Sequence, residues 1–175
     1  MDQSAFYGVV SAINFTLLGL WWVAVKDRAK VAGAGLPGDD ALSHRTAYLV
    51  SLQFVIPGTV SLLAQVAPDI AAVWRAAFAV AGVVGAVGIV MLSGEIRRTS
   101  DLRLAPTLFR IVGVPLYVLV ALVALVPLPS PLDIGLSPIQ IEALLLTLLV
   151  FLGVQEAWVV SMTPPKSASK RQAGF

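Results

Sequence analysis

Two glutamates, Glu142 and Glu156, stand fourteen residues apart inside a run that is otherwise almost wholly Leu, Val, Ala and Phe. Two arginines, Arg75 and Arg110, interrupt two other apolar runs. A charge at mid-bilayer costs at least ~2.5–3.5 kcal/mol on insertion scales, so such residues are candidates for function by default. Fourteen residues is close to four turns at about 3.6 residues each, which puts both acids on one face of a helix, with Gly153 on the same stripe. Counted by depth from the ends of their runs, Arg75 matches Glu142 and Arg110 nearly matches Glu156. The spacing therefore predicts two intramembrane ion pairs, Arg75–Glu142 and Arg110–Glu156. They would serve either as staples for that helix or, at Glu156, as part of an ion or proton path.

A second set is polar but uncharged. Asn14 and Tyr117 fall near the middle of apolar runs, and Gln53 precedes Pro57 by four residues. Proline supplies no N–H, so the Gln53 carbonyl lacks its helical donor and is open to a side chain, water or an ion. Broken helices of this kind line the binding sites of many transporters. Asn14, Gln53, Pro57, Tyr117 and Glu156 thus form a candidate polar cavity, against the plainer reading of a proline kink with some interhelical hydrogen bonds. Ala77, Ala81, Gly82, Gly85 and Gly88 let helix backbones approach closely, either inside the bundle or at a seam between copies.

Other chemistries are poorly served. The chain has no cysteine and one histidine, His44, so thiolate sites and disulfides are excluded and no metal or haem site is expected. Ser93-Gly94 is no nucleophile elbow, and two acids at opposite depths do not assemble a hydrolase, so no catalytic residue and no cofactor is expected. Gly33-Ala34-Gly35-Leu36-Pro37-Gly38 fits G-x-G-x-x-G, but no strand precedes it. Asn14-Phe15-Thr16 fits a glycosylation sequon inside an apolar run. His44 beside Arg45 reads as a solvated interfacial pair.

The elements that must position these residues follow from composition. The 175 residues are 58% hydrophobic and 13% charged, with a mean hydropathy of +0.88. A soluble domain carries about 25% charged residues, so lipid is the expected solvent. Five apolar runs, at about 5–25, 46–66, 71–93, 107–126 and 139–161, each reach the roughly 20 residues that span a bilayer as a helix. Ser137-Pro138 suits the start of the fifth, with serine as N-cap and proline at the first helical position. Residues 1–165 form one membrane domain, and the basic tail 166–175, with Lys166, Lys170 and Arg171, is expected to be disordered. A proline beside glycine in the second and fourth runs (Pro57-Gly58; Gly113 near Pro115) is compatible with a relic of a parallel repeat or with chance.

Ten of the twelve Lys and Arg residues lie in the segments 26–45 and 94–106 and in the tail, and none in the N-terminus, 67–70 or 127–138. By the positive-inside rule the N-terminus is outside and the C-terminus cytoplasmic. Tyr7 and Trp74 would form an outer aromatic belt, and Trp21, Trp22, Tyr48 and Trp158 an inner one. The expected fold is an all-α, polytopic integral membrane protein, a five-helix bundle. Its Ala-, Val-, Gly- and Leu-rich composition points to a bacterial inner membrane. The expected function is a channel or transporter subunit acting as an oligomer, with a polar path near the second, fourth and fifth helices. The alternative is a non-catalytic accessory subunit of a larger membrane complex. Expected partners are membrane lipid, further copies or another membrane protein; the basic residues report topology and anionic-lipid attraction, not nucleic acid.

Overall fold

Long apolar segments satisfy their backbone polar groups internally only as helices or closed barrels, and this chain takes the first course. A computed structural model describes residues 3–33, 44–66, 70–100, 102–126 and 137–162. These form α1 (Gln3–Gly33), α2 (His44–Val66), α3 (Ala71–Thr99), α4 (Leu104–Leu125) and α5 (Pro138–Met162), with no strand among the described residues. All five helices are long and apolar enough to cross a membrane.

Two helices outrun the expected spans. α1 continues past Val25 to Gly33 and α3 past Ser93 to Thr99. Hydropathy marks where the apolar surface ends, whereas Lys26-Asp27-Arg28-Ala29-Lys30 and Glu95-Ile96-Arg97-Arg98 contain good helix formers and carry the backbone ladder on. α5 starts at Pro138, as expected. The Ser137 carbonyl accepts the amides of Gln140 and Ile141, and its own N–H donates to Gln140 Oε1 at 2.8 Å. That second bond is the reciprocal half of a capping box, with glutamine at the third position. The segment holding most of the glycine motif, the connection containing Asp133, and the basic tail lie outside the described residues.

Successive helices are antiparallel. Trp21 Nε1 in the second half of α1 donates to the Ala47 carbonyl near the start of α2 at 3.0 Å. α1 and α5 are parallel and joined at both ends. Tyr7 Oη donates to the Ile139 carbonyl at 2.6 Å. At the other end Arg28 donates to the carbonyls of Val160 and Ser161, in the last turn of α5, where carbonyls lack helical donors. α2 packs against α1, α3 and α5, and α4 lies between α3 and α5. One end of the bundle consequently gathers Lys26, Arg28, His44, Arg45, Arg97, Arg98 and Arg103, while Arg75 is the only basic residue described near the other end.

Close packing of α3 on α4 comes from glycine. A Cβ on Gly82 would stand 2.5 Å from the Tyr117 carbonyl oxygen, and one on Gly85 would stand 2.1 Å from the Tyr117 ring. Gly88 faces the Gln53 amide of α2. These three glycines are used within the bundle, whereas Ala77 and Ala81 line an apolar groove of about 470 Å³ between α2 and α3. The outer surface is strongly apolar: Leu20, Val66, Leu104, Phe151 and Trp158 are each more than 60% exposed.

The aromatic belt is only half present. Trp22, Tyr48 and Trp158 are exposed at the basic end, but Tyr7, Trp21 and Trp74 are buried. An amphipathic ring can bury its body when its polar tip finds a partner, and Tyr7 and Trp21 find theirs in carbonyls of α5 and α2. Trp74 instead packs edge-on against Phe78, which in turn meets Tyr7.

Candidate functional site

The inward stripe of α5 comprises Glu142, Leu145, Leu146, Leu149, Leu152, Gly153, Glu156 and Val160. Both glutamates are fully enclosed, at 0% exposure. The four-turn spacing thus does turn both acids inward. The expected ion pairs do not follow. No oxygen of either carboxyl has a hydrogen-bond partner, and neither Arg75 nor Arg110 forms an ion pair with them; Arg45 and Glu95 pair instead at 3.8 Å on the rim.

Azimuth explains the failure. On α4 the buried stripe is Phe109, Gly113, Tyr117, Val120, and Arg110, one residue from Phe109, is exposed. On α3 the buried stripe is Trp74, Phe78, Ala81, Gly82, Gly85, and Arg75 sits on its flank with its guanidinium carbon 5.4 Å from the Trp74 ring centre. Counting along a run gives only one coordinate; a helix surface needs a second, and one residue turns a side chain by about 100°.

Gln53, Tyr117 and Glu156 do converge, from α2, α4 and α5. Tyr117 Oη donates to Gln53 Oε1 at 2.8 Å, both side chains being at most 2% exposed. Gly85 makes room for the tyrosine ring. Gly153 brings α5 against α2 at the same level, where a Cβ would lie 3.3 Å from Gln53 Cβ and 3.4 Å from its carbonyl oxygen. That carbonyl is the one that Pro57 deprives of its helical donor. Glu156 follows Gly153 by three residues and lies within electrostatic reach of the Tyr117 hydroxyl. In this group Gln53 Nε2 and both Glu156 oxygens lack partners. A donor and two acceptors left unmatched in an apolar interior cost more than most features of a fold.

Asn14 is not a member. Its Nδ2 donates to the Val10 carbonyl within α1 at 2.8 Å, its Oδ1 is unpartnered, and its Cβ packs on Gly58 at the α1–α2 contact. Pro57 is buried beside it, whereas Pro115 is exposed, so the two proline-glycine sites occupy different environments. Two buried hydroxyls, Ser61 and Ser93, also lack partners and escaped sequence reasoning. Serine in such helices usually bonds back to its own carbonyls, as Ser51 does with Ala47, so residue type carries no signal for these two.

No family model matches the chain, and comparison with curated proteins and with solved structures returns no match.

Proposed function

We propose that this is an integral membrane protein whose basic end faces the cytoplasm, and that it is a proton-coupled channel or transporter subunit with Glu156 as the proton-carrying group. The observation that supports this reading above others is a carboxyl at 0% exposure, without a partner, one helical turn from the Gly153–Gln53 contact that joins α5 to the Gln53–Tyr117 pair. A single buried carboxylate without a cation is costly. A carboxyl that gains and loses a proton avoids that cost in one state and meets it only transiently in the other. Gln53 and Tyr117 are suited to follow the change, because a hydroxyl and a primary amide can each donate and accept.

The exposed apolar surface supports lipid as the surrounding solvent, and the gathering of Lys and Arg at one end supports the cytoplasmic placement of that end. A bundle of five helices is thin, so several copies or a membrane-protein partner would complete a continuous path. The accessory-subunit reading draws on a different feature, the α2–α3 groove bordered by Ala76, Ala77 and Ala81, whose small residues would admit another helix closely. A stoichiometric second protein after purification in mild detergent would favour it.

The test of the main reading is collapse of an imposed pH gradient across liposomes, followed with a trapped pH dye. The native protein is expected to dissipate the gradient and Glu156→Gln to lose that flux while inserting normally. Equal flux from both would remove Glu156 from the path.

A further inference from the structure

Glu142 takes no part in the group around Gln53, yet it is as completely enclosed as Glu156 and its two oxygens are equally unpartnered. The groups about it are few. From α1, Tyr7 is within electrostatic reach, but its hydroxyl proton is committed to the Ile139 carbonyl at 2.6 Å. From α3, the Arg75 guanidinium carbon lies 5.4 Å from the Trp74 ring centre, and its Nε is buried without a hydrogen-bond partner. From α2, the Gln65 amide lies against Gly8 of α1. The last turns of α4 bring only Ala, Leu and Val to that end.

We infer that Glu142 is a second exchangeable-proton site, filled from the end of the bundle opposite to the one nearer Glu156. The choice of a proton follows from the donor set. A metal cation asks for several oxygens around it, and among the described residues no three of His, Cys, Asp and Glu come together. A proton needs only one carboxyl oxygen.

Fourteen residues of helix separate Glu142 from Glu156 by about 21 Å. The α5 stripe between them is Leu145, Leu146, Leu149, Leu152 and Gly153, all buried. No side chain on that stripe can pass a proton, so along α5 the two acids are separate stations; the buried polar groups at levels between them, Asn14 and Ser61, belong to α1 and α2. The inference extends the reading of Glu156 given above: α5 itself offers no relay between the two stations, so each exchanges its proton from its own end.

The test is carbodiimide labelling of the full chain in phosphatidylcholine liposomes, using dicyclohexylcarbodiimide at acid and at alkaline pH. A protonated carboxyl gives its proton to a carbodiimide nitrogen while its oxygen bonds to the central carbon. The resulting O-acylisourea rearranges to a stable N-acylurea with no atom lost. Peptide mass spectrometry then locates the adduct. Both glutamates are expected to be labelled at acid pH with loss of labelling at alkaline pH. The Glu142 adduct should persist in Glu156→Gln, and the Glu156 adduct in Glu142→Gln. Adduct on Glu156 alone overturns the second site and leaves the first reading intact. Adduct on Glu142 alone does the reverse, and adduct on neither overturns both. Infrared spectra give a readout without a reagent. The native protein should show a protonated-acid carbonyl band that is lost in part in Glu142→Gln, and an unchanged band overturns the inference.

Discussion

The contact that holds Tyr117 in place can be tested at Gly82. A methyl group there would meet the Tyr117 carbonyl oxygen at 2.5 Å and the Ala121 nitrogen and Cβ at 2.8 Å. These are backbone or backbone-fixed atoms, so no side-chain rotation relieves the overlap. To restore an ordinary separation of 3.4 Å, α4 must retreat by roughly 0.9 Å, the difference between 3.4 and 2.5 Å, along a seam that runs most of both helices. Overpacking of this kind costs about 1–3 kcal/mol. Replacing a helical glycine by alanine returns up to about 1 kcal/mol of intrinsic propensity, which leaves a net loss of up to ~2 kcal/mol for Gly82→Ala. Gly94 is the internal control. It lies on the same helix, and nothing comes within 4 Å of its hypothetical Cβ, so Gly94→Ala keeps the propensity gain without the clash. The two variants should differ by up to ~3 kcal/mol, about two decades in the folded-to-unfolded ratio. Unfolding by sodium dodecyl sulfate in mixed micelles, followed by circular dichroism, measures this directly. Gly82→Ala as stable as Gly94→Ala would refute the α3–α4 packing and, with it, the placement of Tyr117.

Three further substitutions are read by the same unfolding measurement. Tyr117→Phe leaves Gln53 Oε1 without its donor and should cost about 1–3 kcal/mol. Because the residues share one bond, the Tyr117→Phe, Gln53→Leu double variant should lose less than the sum of the singles, and strict additivity would contradict the pairing. Arg110→Ala should change stability by no more than about 0.5 kcal/mol, as for other exposed positions away from special features. A loss of 3–5 kcal/mol, typical of breaking a buried ion pair, would instead restore the Arg110–Glu156 pair.

How far the site was legible depended on which coordinate a residue type reports. Apolar length reports depth, so the five helices and their order were readable, as was the start of α5 at Ser137-Pro138. Spacing along one helix reports azimuth within that helix, so Glu142 and Glu156 could be placed on one inward face. Nothing along a single helix reports its rotation relative to a neighbour, and there the reasoning on Arg75 and Arg110 failed. Gln53 and Tyr117 were identified separately by their polarity, while their mutual bond depends on Gly85 and Gly153, whose pattern names a close approach without naming what approaches. Tyr7 and Trp21 were misplaced as interfacial because their carbonyl partners lie 132 and 26 residues away. The ends of α1 and α3 were missed because charge stops a span without stopping a helix.

Every part of the proposed mechanism depends on helices that cross a bilayer in a fixed direction, and the absence of cysteine makes the sidedness of α1 through α3 directly measurable. Gln3→Cys and Arg98→Cys place single thiols at exposed positions on opposite ends of the bundle. Intact cells are treated with a membrane-impermeant maleimide before and after permeabilisation. Gln3→Cys should label at once and Arg98→Cys only after permeabilisation. Labelling of both in intact cells, or of Arg98→Cys alone, would contradict the crossings or their direction.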